Sequence, residues 1–252
     1  MPNTPADAPL DDHSFAAWAA ARAGERLLEV RAEGLQGREL KDAGDRAAQD
    51  LLAALLAEHR SGDAVLSEEA EDDTARLDAR RVWIIDPLDG TREFSEPPRE
   101  DWAVHVALWE GGELTAGAVA QPALGEVAGT ADVAPAPERA PGPPRLAVSR
   151  SRPPAITDDL VAALGAELVP MGSAGIKVLA VVRGVVDAYV HAGGQYEWDS
   201  AAPVAVARAA GLHTSRIDGS PLIYNQPNPL LPDLIVCRPE LTEQILAVTT
   251  RP

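Results

Sequence analysis

The sequence predicts an α/β fold of stacked helical and β layers (α+β layered). Three observations lead there: two amphipathic helical stretches open the chain, short β-like runs follow, and beyond residue 145 strand-like and helix-like segments alternate. Residues 14–30 carry Phe15, Trp18, Ala19, Leu27 and Leu28 at roughly helical spacing, and residues 46–58 repeat the pattern with Leu51, Leu52, Leu55 and Leu56. β-like runs are expected at 64–67, 81–86, 102–109 and 114–121, the last two joined by Glu110, Gly111, Gly112 and Glu113 as a hairpin.

Residues 131–144 read ADVAPAPERAPGPP, whose five prolines argue against regular structure. The chain is therefore expected to divide into an N-terminal α+β half (1–134) and a C-terminal α/β half (145–252), joined by a Pro-rich linker (135–144). In the second half, strands are expected at 146–148, 167–169, 185–190 and 234–237, and helices at 156–164, 174–183, 201–210 and 241–248.

The 252 residues carry a formal charge of −17, which argues against a nucleic-acid polymer as partner. With 46% hydrophobic and 24% charged residues the chain can bury a sizeable core. The best apolar stretch, 178–190, contains Arg183 and Asp187 and is shorter than the ~20 residues that cross a bilayer, so no membrane partner is expected. Residues 1–7 lack the basic start and apolar run of a secretory leader, and a single cysteine, Cys237, cannot form an internal disulfide. A cytoplasmic location is expected on both grounds.

Chemistry concentrates in Val82, Trp83, Ile84, Ile85, Asp86, Pro87, Leu88, Asp89, Gly90 and Thr91, an apolar strand running into a proline turn with two carboxylates. Pro87 forces Asp86 into an extended conformation, which is expected to end the strand and start a β-turn. Asp86 and Asp89 would then stand within about 7 Å, able to converge on a hard cation with the Leu88 carbonyl. Oxygen-only ligation favours Mg²⁺. Gly90 and Thr91 would open a helical turn whose N–H groups face a phosphate. A parallel neighbour at 64–67 would deliver Glu68 to the same edge. Pro203, placed in a first turn, marks a helix start near Asp199 and adds another carboxylate.

These residues, with Ser67-Glu68-Glu69 upstream and Trp198-Asp199-Ser200-Ala201-Ala202 downstream, resemble the inositol monophosphatase-like, lithium-sensitive phosphatases. Within that family Gly90-Thr91-Arg92-Glu93-Phe94 looks most like the CysQ branch, the 3′(2′),5′-bisphosphate nucleotidases, and its actinobacterial members. The resemblance implies an alternating αβαβα sandwich of the sugar phosphatase type. It also implies a Mg²⁺-dependent phosphomonoesterase that removes the 3′-phosphate of 3′-phosphoadenosine 5′-phosphate (PAP), and that of its 5′-phosphosulfate, in sulfur assimilation. Carried over by position, Glu68, Asp86, the Leu88 carbonyl, Asp89 and Asp199 match the ligands of two or three Mg²⁺ ions. Gly90 and Thr91 match the phosphate-contacting turn. Thr91 with Glu68 matches the pair that positions and deprotonates water, and Asp45 matches the acid supporting the threonine, with Asp42 standing where relatives have threonine.

On the substrate side the resemblance points to Arg92, Arg150 and Arg152, the last standing where histidine is usual. It also points to Ser173 and Lys177 in a Gly-Ser-led helix start with one extra residue, to His191, and to Glu197. Expected partners are PAP, inositol monophosphate or fructose 1,6-bisphosphate, and a homodimer stays open. A broader phosphatase with the same site, a nucleotide sensor without turnover, and an acidic Ca²⁺ module lacking EF-hand spacing are the competing readings. His13, His59, His105 and His213 read as structural or exposed, and Cys237 as a core thiol.

Overall fold

The computed structural model describes residues 11–250, so the reading of residues 1–7 lies outside the described part. Helix α1 (Asp12–Ala32) is capped by Asp11, whose side chain accepts from the Ser14 N–H, and α2 spans Gly37–His59. The second helix starts well before residue 46. Its buried face, Leu40, Gly44, Ala48, Leu52 and Leu56, is a stripe at four-residue steps whose first turns are masked in sequence by charged neighbours and a glycine.

Both helices cover one face of a sheet ordered β1-β2-β3-β4-β5: Ala64–Ser67, Arg81–Asp89, Ala103–Glu110, Glu113–Gln121 and Glu126–Gly129. The β1–β2 pair is parallel and the others antiparallel. A one-turn helix α3 (Thr91–Phe94) follows β2. A second sheet, ordered β7-β6-β8-β10-β9, is built from β6 (Arg145–Ser149), β7 (Glu167–Met171), β8 (Ala188–Ala192), β9 (His213–Ser215) and β10 (Asp233–Cys237). Helices α5 (Ala174–Val182) and α6 (Glu197–Ala209) lie between the sheets, and α4 (Ile156–Leu164) and α7 (Thr242–Thr249) cover the outer face of the second.

Three apolar clusters fill the spaces between these five layers. One joins α1 and α2 to Trp83, Ile85, Val104 and Val106; a second joins both sheets through α5 and α6; the third joins the second sheet to α4 and α7. The layered αβαβα expectation is met. Strands β5 and β9, four and three residues long, were beyond the reach of periodicity.

Two expectations are corrected. Strand β2 does not end at Asp86 in a β-turn: it runs on to Asp89, and its pairing with β3 slips between Asp86 and Asp89. Helix α6 starts at Glu197, which puts Pro203 inside the helix rather than in its first turn. Proline has no N–H, so the Asp199 carbonyl four residues back lacks its helical donor.

The Pro-rich segment is tied to the body: Ala136 N–H donates to the Ala210 carbonyl, and the Arg238 guanidinium donates to the Pro137 carbonyl. Among the described residues no helix is long and apolar enough to cross a membrane.

Candidate metal centre and active site

The parallel register Ser67↔Ile85 carries Glu68 to the level of Asp86, and the Glu68 N–H donates to the Ile85 carbonyl at 3.4 Å. Asp86 is fully buried. Its Oδ1 accepts from the Leu88 N–H at 3.0 Å, whereas Oδ2 has no hydrogen-bond donor among the described residues. Asp89 Oδ2 accepts from the Ser173 hydroxyl at 2.5 Å and from the Gly175 N–H at 2.7 Å. Asp199, in the first turn of α6, accepts from the Tyr196 N–H at 2.7 Å.

Burial and the Asp199 charge push Glu68 up to about 7, against the neighbouring Asp86 carboxyl, which works the other way. Burial, then the charges of Glu68, Asp89 and Asp199, raise Asp86 well above the carboxylate range. Burial and Asp89 bring Asp199 up to about 6. Burial would raise Asp89 too, but His105, the Lys177 ammonium and the Ser173 hydroxyl outweigh it and hold Asp89 well below that range. Four acids thus crowd one corner with too little positive charge to ionise all of them.

Around this corner, the Thr91 hydroxyl donates to the Leu88 carbonyl at 3.2 Å, and Gly90, at φ 86°, turns the chain into α3. A Cβ at Gly44 would lie 2.6 Å from Phe94 Cε1 and 3.1 Å from Leu88 Cδ2, so only glycine lets α2 approach this closely. The next residue, Asp45, feels the charge of Glu69, the neighbour of Glu68. Its carboxyl is raised to about 7 by burial and then by Glu69 and Asp42.

Ser173 caps α5 from a strained φ of 49°, with its Oγ accepting from the Ile176 N–H at 3.0 Å. Lys177 is buried and donates to the Ser173 carbonyl at 2.6 Å and the Gly172 carbonyl at 3.3 Å. Arg150 is engaged by Glu93 at 2.7 Å and Glu96 at 2.9 Å. Arg92 and Arg152 are exposed. His191 is half-buried with Nε2 2.6 Å from the Gly193 carbonyl, and Glu197 accepts from the Asn225 and Gln226 N–H groups, holding that loop.

His105 is structural, and it lies closer to the acids than its sequence position suggests: fully buried, it pairs with Asp86 in the β2–β3 ladder, and its Nε2 stands 3.2 Å from Asp89 Oδ2. Ligand atoms of Asp86, Asp89 and His105 lie within 4.8 Å of one another. The sequence held one clue, a histidine between Ala103 and Ala107 on the inward face of a strand. The pairing that gives it meaning is tertiary.

The donor set fits a hard divalent cation, because a fully buried carboxylate oxygen without a hydrogen-bond donor stands among carboxyls whose charges oppose one another.

The family model described as inositol monophosphatase family matches residues 11–251. The chain belongs to the inositol monophosphatase family. It is 56% identical over 234 residues to the 3′-phosphoadenosine 5′-phosphate phosphatase of Mycobacterium bovis, covering 89% of this chain and 88% of that one. It is 54% identical to the Mycobacterium leprae protein of the same name, covering 96% and 94%. Among solved structures of this family, CysQ from Bacteroides thetaiotaomicron is similar with a TM-score of 0.79 at 28% identity, covering 89% of this chain and 96% of that one.

Proposed function

We propose that this inositol monophosphatase family member is a Mg²⁺-dependent phosphatase that removes the 3′-phosphate of PAP, and that of its 5′-phosphosulfate, in sulfur assimilation. The observation that carries this reading is the 56% identity to a PAP phosphatase over 89% of the chain, which spans both halves and every acid of the cluster. In this reading Glu68, Asp86, the Leu88 carbonyl, Asp89 and Asp199 hold two or three Mg²⁺ ions. Bound Mg²⁺ supplies Lewis-acid charge neutralisation and lowers the pKa of water.

The chain's own residues do the rest. Glu68 and the Thr91 hydroxyl orient the attacking water, whose proton the Glu68 carboxylate takes up, with Asp45 supporting the threonine from α2. The Gly90–Thr91 turn receives the phosphate. The contacts support a division of labour on the substrate side: Ser173 holds Asp89 and Lys177 holds the Gly172 and Ser173 carbonyls, while Arg92 and Arg152 are exposed for the second phosphate or the base. A −17 chain accepts a polyanion because the local field of the cleft decides, not the total charge.

A broader reading, with inositol monophosphate or fructose 1,6-bisphosphate as substrates, is favoured by one observation: Arg150 is already paired with Glu93 and Glu96, which leaves fewer cations to select a second phosphate. The proposal includes a cytoplasmic location, supported by a single, buried cysteine, and leaves a homodimer for sedimentation to decide.

The deciding measurement is phosphate release from PAP, inositol 1-phosphate and fructose 1,6-bisphosphate with Mg²⁺, with and without Li⁺. PAP is expected to lead by ~100-fold in kcat/KM, about 2.7 kcal/mol of transition-state discrimination. Equal rates on all three would replace the narrow reading by the broad one.

A further inference from the structure

His105 lies against the carboxyl cluster and takes no part in the proposed hydrolysis. Its ring is fully buried on β3. Nδ1–H donates to the carbonyl of Trp198, the residue before Asp199, at 3.1 Å, and Nε2 lies 3.2 Å from Asp89 Oδ2. One ring therefore bridges the strand that ends in Asp89 and the helix that begins beside Asp199.

Gly175 makes the room for that ring. A Cβ at this position would lie 2.1 Å from His105 Nε2 and 3.0 Å from Cε1, so the space belongs to the imidazole. The backbone of Gly175 also serves the same carboxylate, since its N–H donates to Asp89 Oδ2 at 2.7 Å, beside the Ser173 hydroxyl at 2.5 Å. Two donors thus hold Oδ2 with the His105 ring against it, and among the described residues no donor reaches Oδ1.

We propose that His105 and Gly175 are a positioning pair: together they lock the Asp89 carboxylate and the start of α6 in one arrangement, so that Asp89 and Asp199 present their oxygens to the same cation. This rests on the reading of Asp89 and Asp199 as Mg²⁺ ligands. Groups that hold a ligating carboxylate matter for metal binding nearly as much as the ligand does, and their loss costs ~10–100-fold in affinity.

The test titrates Mg²⁺ into the metal-free full-length protein by calorimetry and, in parallel, follows the Mg²⁺ dependence of PAP hydrolysis. His105→Phe keeps a ring but removes both nitrogens. It is expected to weaken Mg²⁺ binding ~10–100-fold and to raise the Mg²⁺ concentration for half-maximal rate in step. KM for PAP at saturating Mg²⁺ should stay within about two-fold, and His105→Gln, which can still donate to Asp89, should recover part of the affinity.

Gly175→Ala is expected to match His105→Phe in the otherwise native protein, but to cost less than about two-fold in a His105→Asn background, where the shorter side chain vacates the space. Unchanged Mg²⁺ affinity in His105→Phe, or an equal cost of Gly175→Ala in both backgrounds, overturns the pairing. Should His105→Phe lose its fold without metal, judged by circular dichroism, the two Gly175→Ala comparisons decide alone. Absence of Mg²⁺ binding by the native protein would overturn the metal reading itself, a distinct result.

Discussion

Glu68 follows Ser67 out of the parallel β1–β2 pair, and its N–H donates to the Ile85 carbonyl at 3.4 Å, which sets its carboxyl at the level of Asp86. Burial and the neighbouring carboxylates disfavour the charged form of both acids.

This has a consequence for stability. An acid whose pKa is raised in the fold keeps its proton after the unfolded chain has released it, so stability falls as pH rises between the two values. The window runs from 4.5 to about 7 for Glu68, from 3.8 to about 6 for Asp199 and from 3.8 to about 7 for Asp45. Asp89 has the opposite sign: its contribution is present above 3.8 and is lost only below that window. The EDTA-treated protein should therefore lose at least ~4 °C in Tm between pH 5 and pH 7.5. Stabilisation by added Mg²⁺ should grow over the same range, because its ligands must shed protons. A flat or rising Tm of the metal-free protein would contradict the crowding.

Replacing Asp86 by Asn should separate stability from activity. The amide removes a buried acid whose charged form is disfavoured by burial and by the charges of Glu68, Asp89 and Asp199, so the metal-free Tm is expected to rise by ~2–4 °C. Activity should fall on the order of 10³-fold, the loss of ~4 kcal/mol of transition-state charge stabilisation. Thermal melts with and without Mg²⁺ beside steady-state kinetics would check both halves.

Lys177 spends two of its donors on the Gly172 and Ser173 carbonyls, whereas Arg152 is exposed. Lys177→Ala is accordingly expected to lower kcat/KM for PAP and inositol 1-phosphate equally, within about two-fold, since it loosens a turn common to both. Arg152→Ala should raise KM for PAP by ~10-fold more than KM for inositol 1-phosphate, the worth of one charge-assisted hydrogen bond. The reverse pattern would make Lys177 the specificity residue.

Gly44→Ala should be costly although Gly44 sits inside a helix. Alanine gains up to ~1 kcal/mol in helix propensity, but its Cβ would meet Phe94 at 2.6 Å, and such overpacking costs ~1–3 kcal/mol. A net loss of ~2–6 °C in Tm is expected, with reduced kcat as Asp45 moves off the Thr91 turn. An unchanged Tm would show that α2 can retreat freely.

Local spacing along the chain is enough for the layer pattern and the acids. Helical and alternating apolar spacing depends only on near neighbours, so α1, the β3–β4 hairpin and the alternation after residue 145 were legible. Asp86, Pro87, Leu88 and Asp89 stood out because a proline between acids at a strand end is a local event. What joins distant segments is set by packing. The Ser67↔Ile85 register that brings Glu68 to Asp86, the continuation of β2 to Asp89, and the placing of Pro203 inside α6 all depend on pairing and packing partners far away in the chain. His105 shows this most clearly: 16 residues from Asp89 and 93 from Trp198, it acquires its meaning from a ladder contact and a missing Cβ at Gly175, neither of which any local pattern encodes.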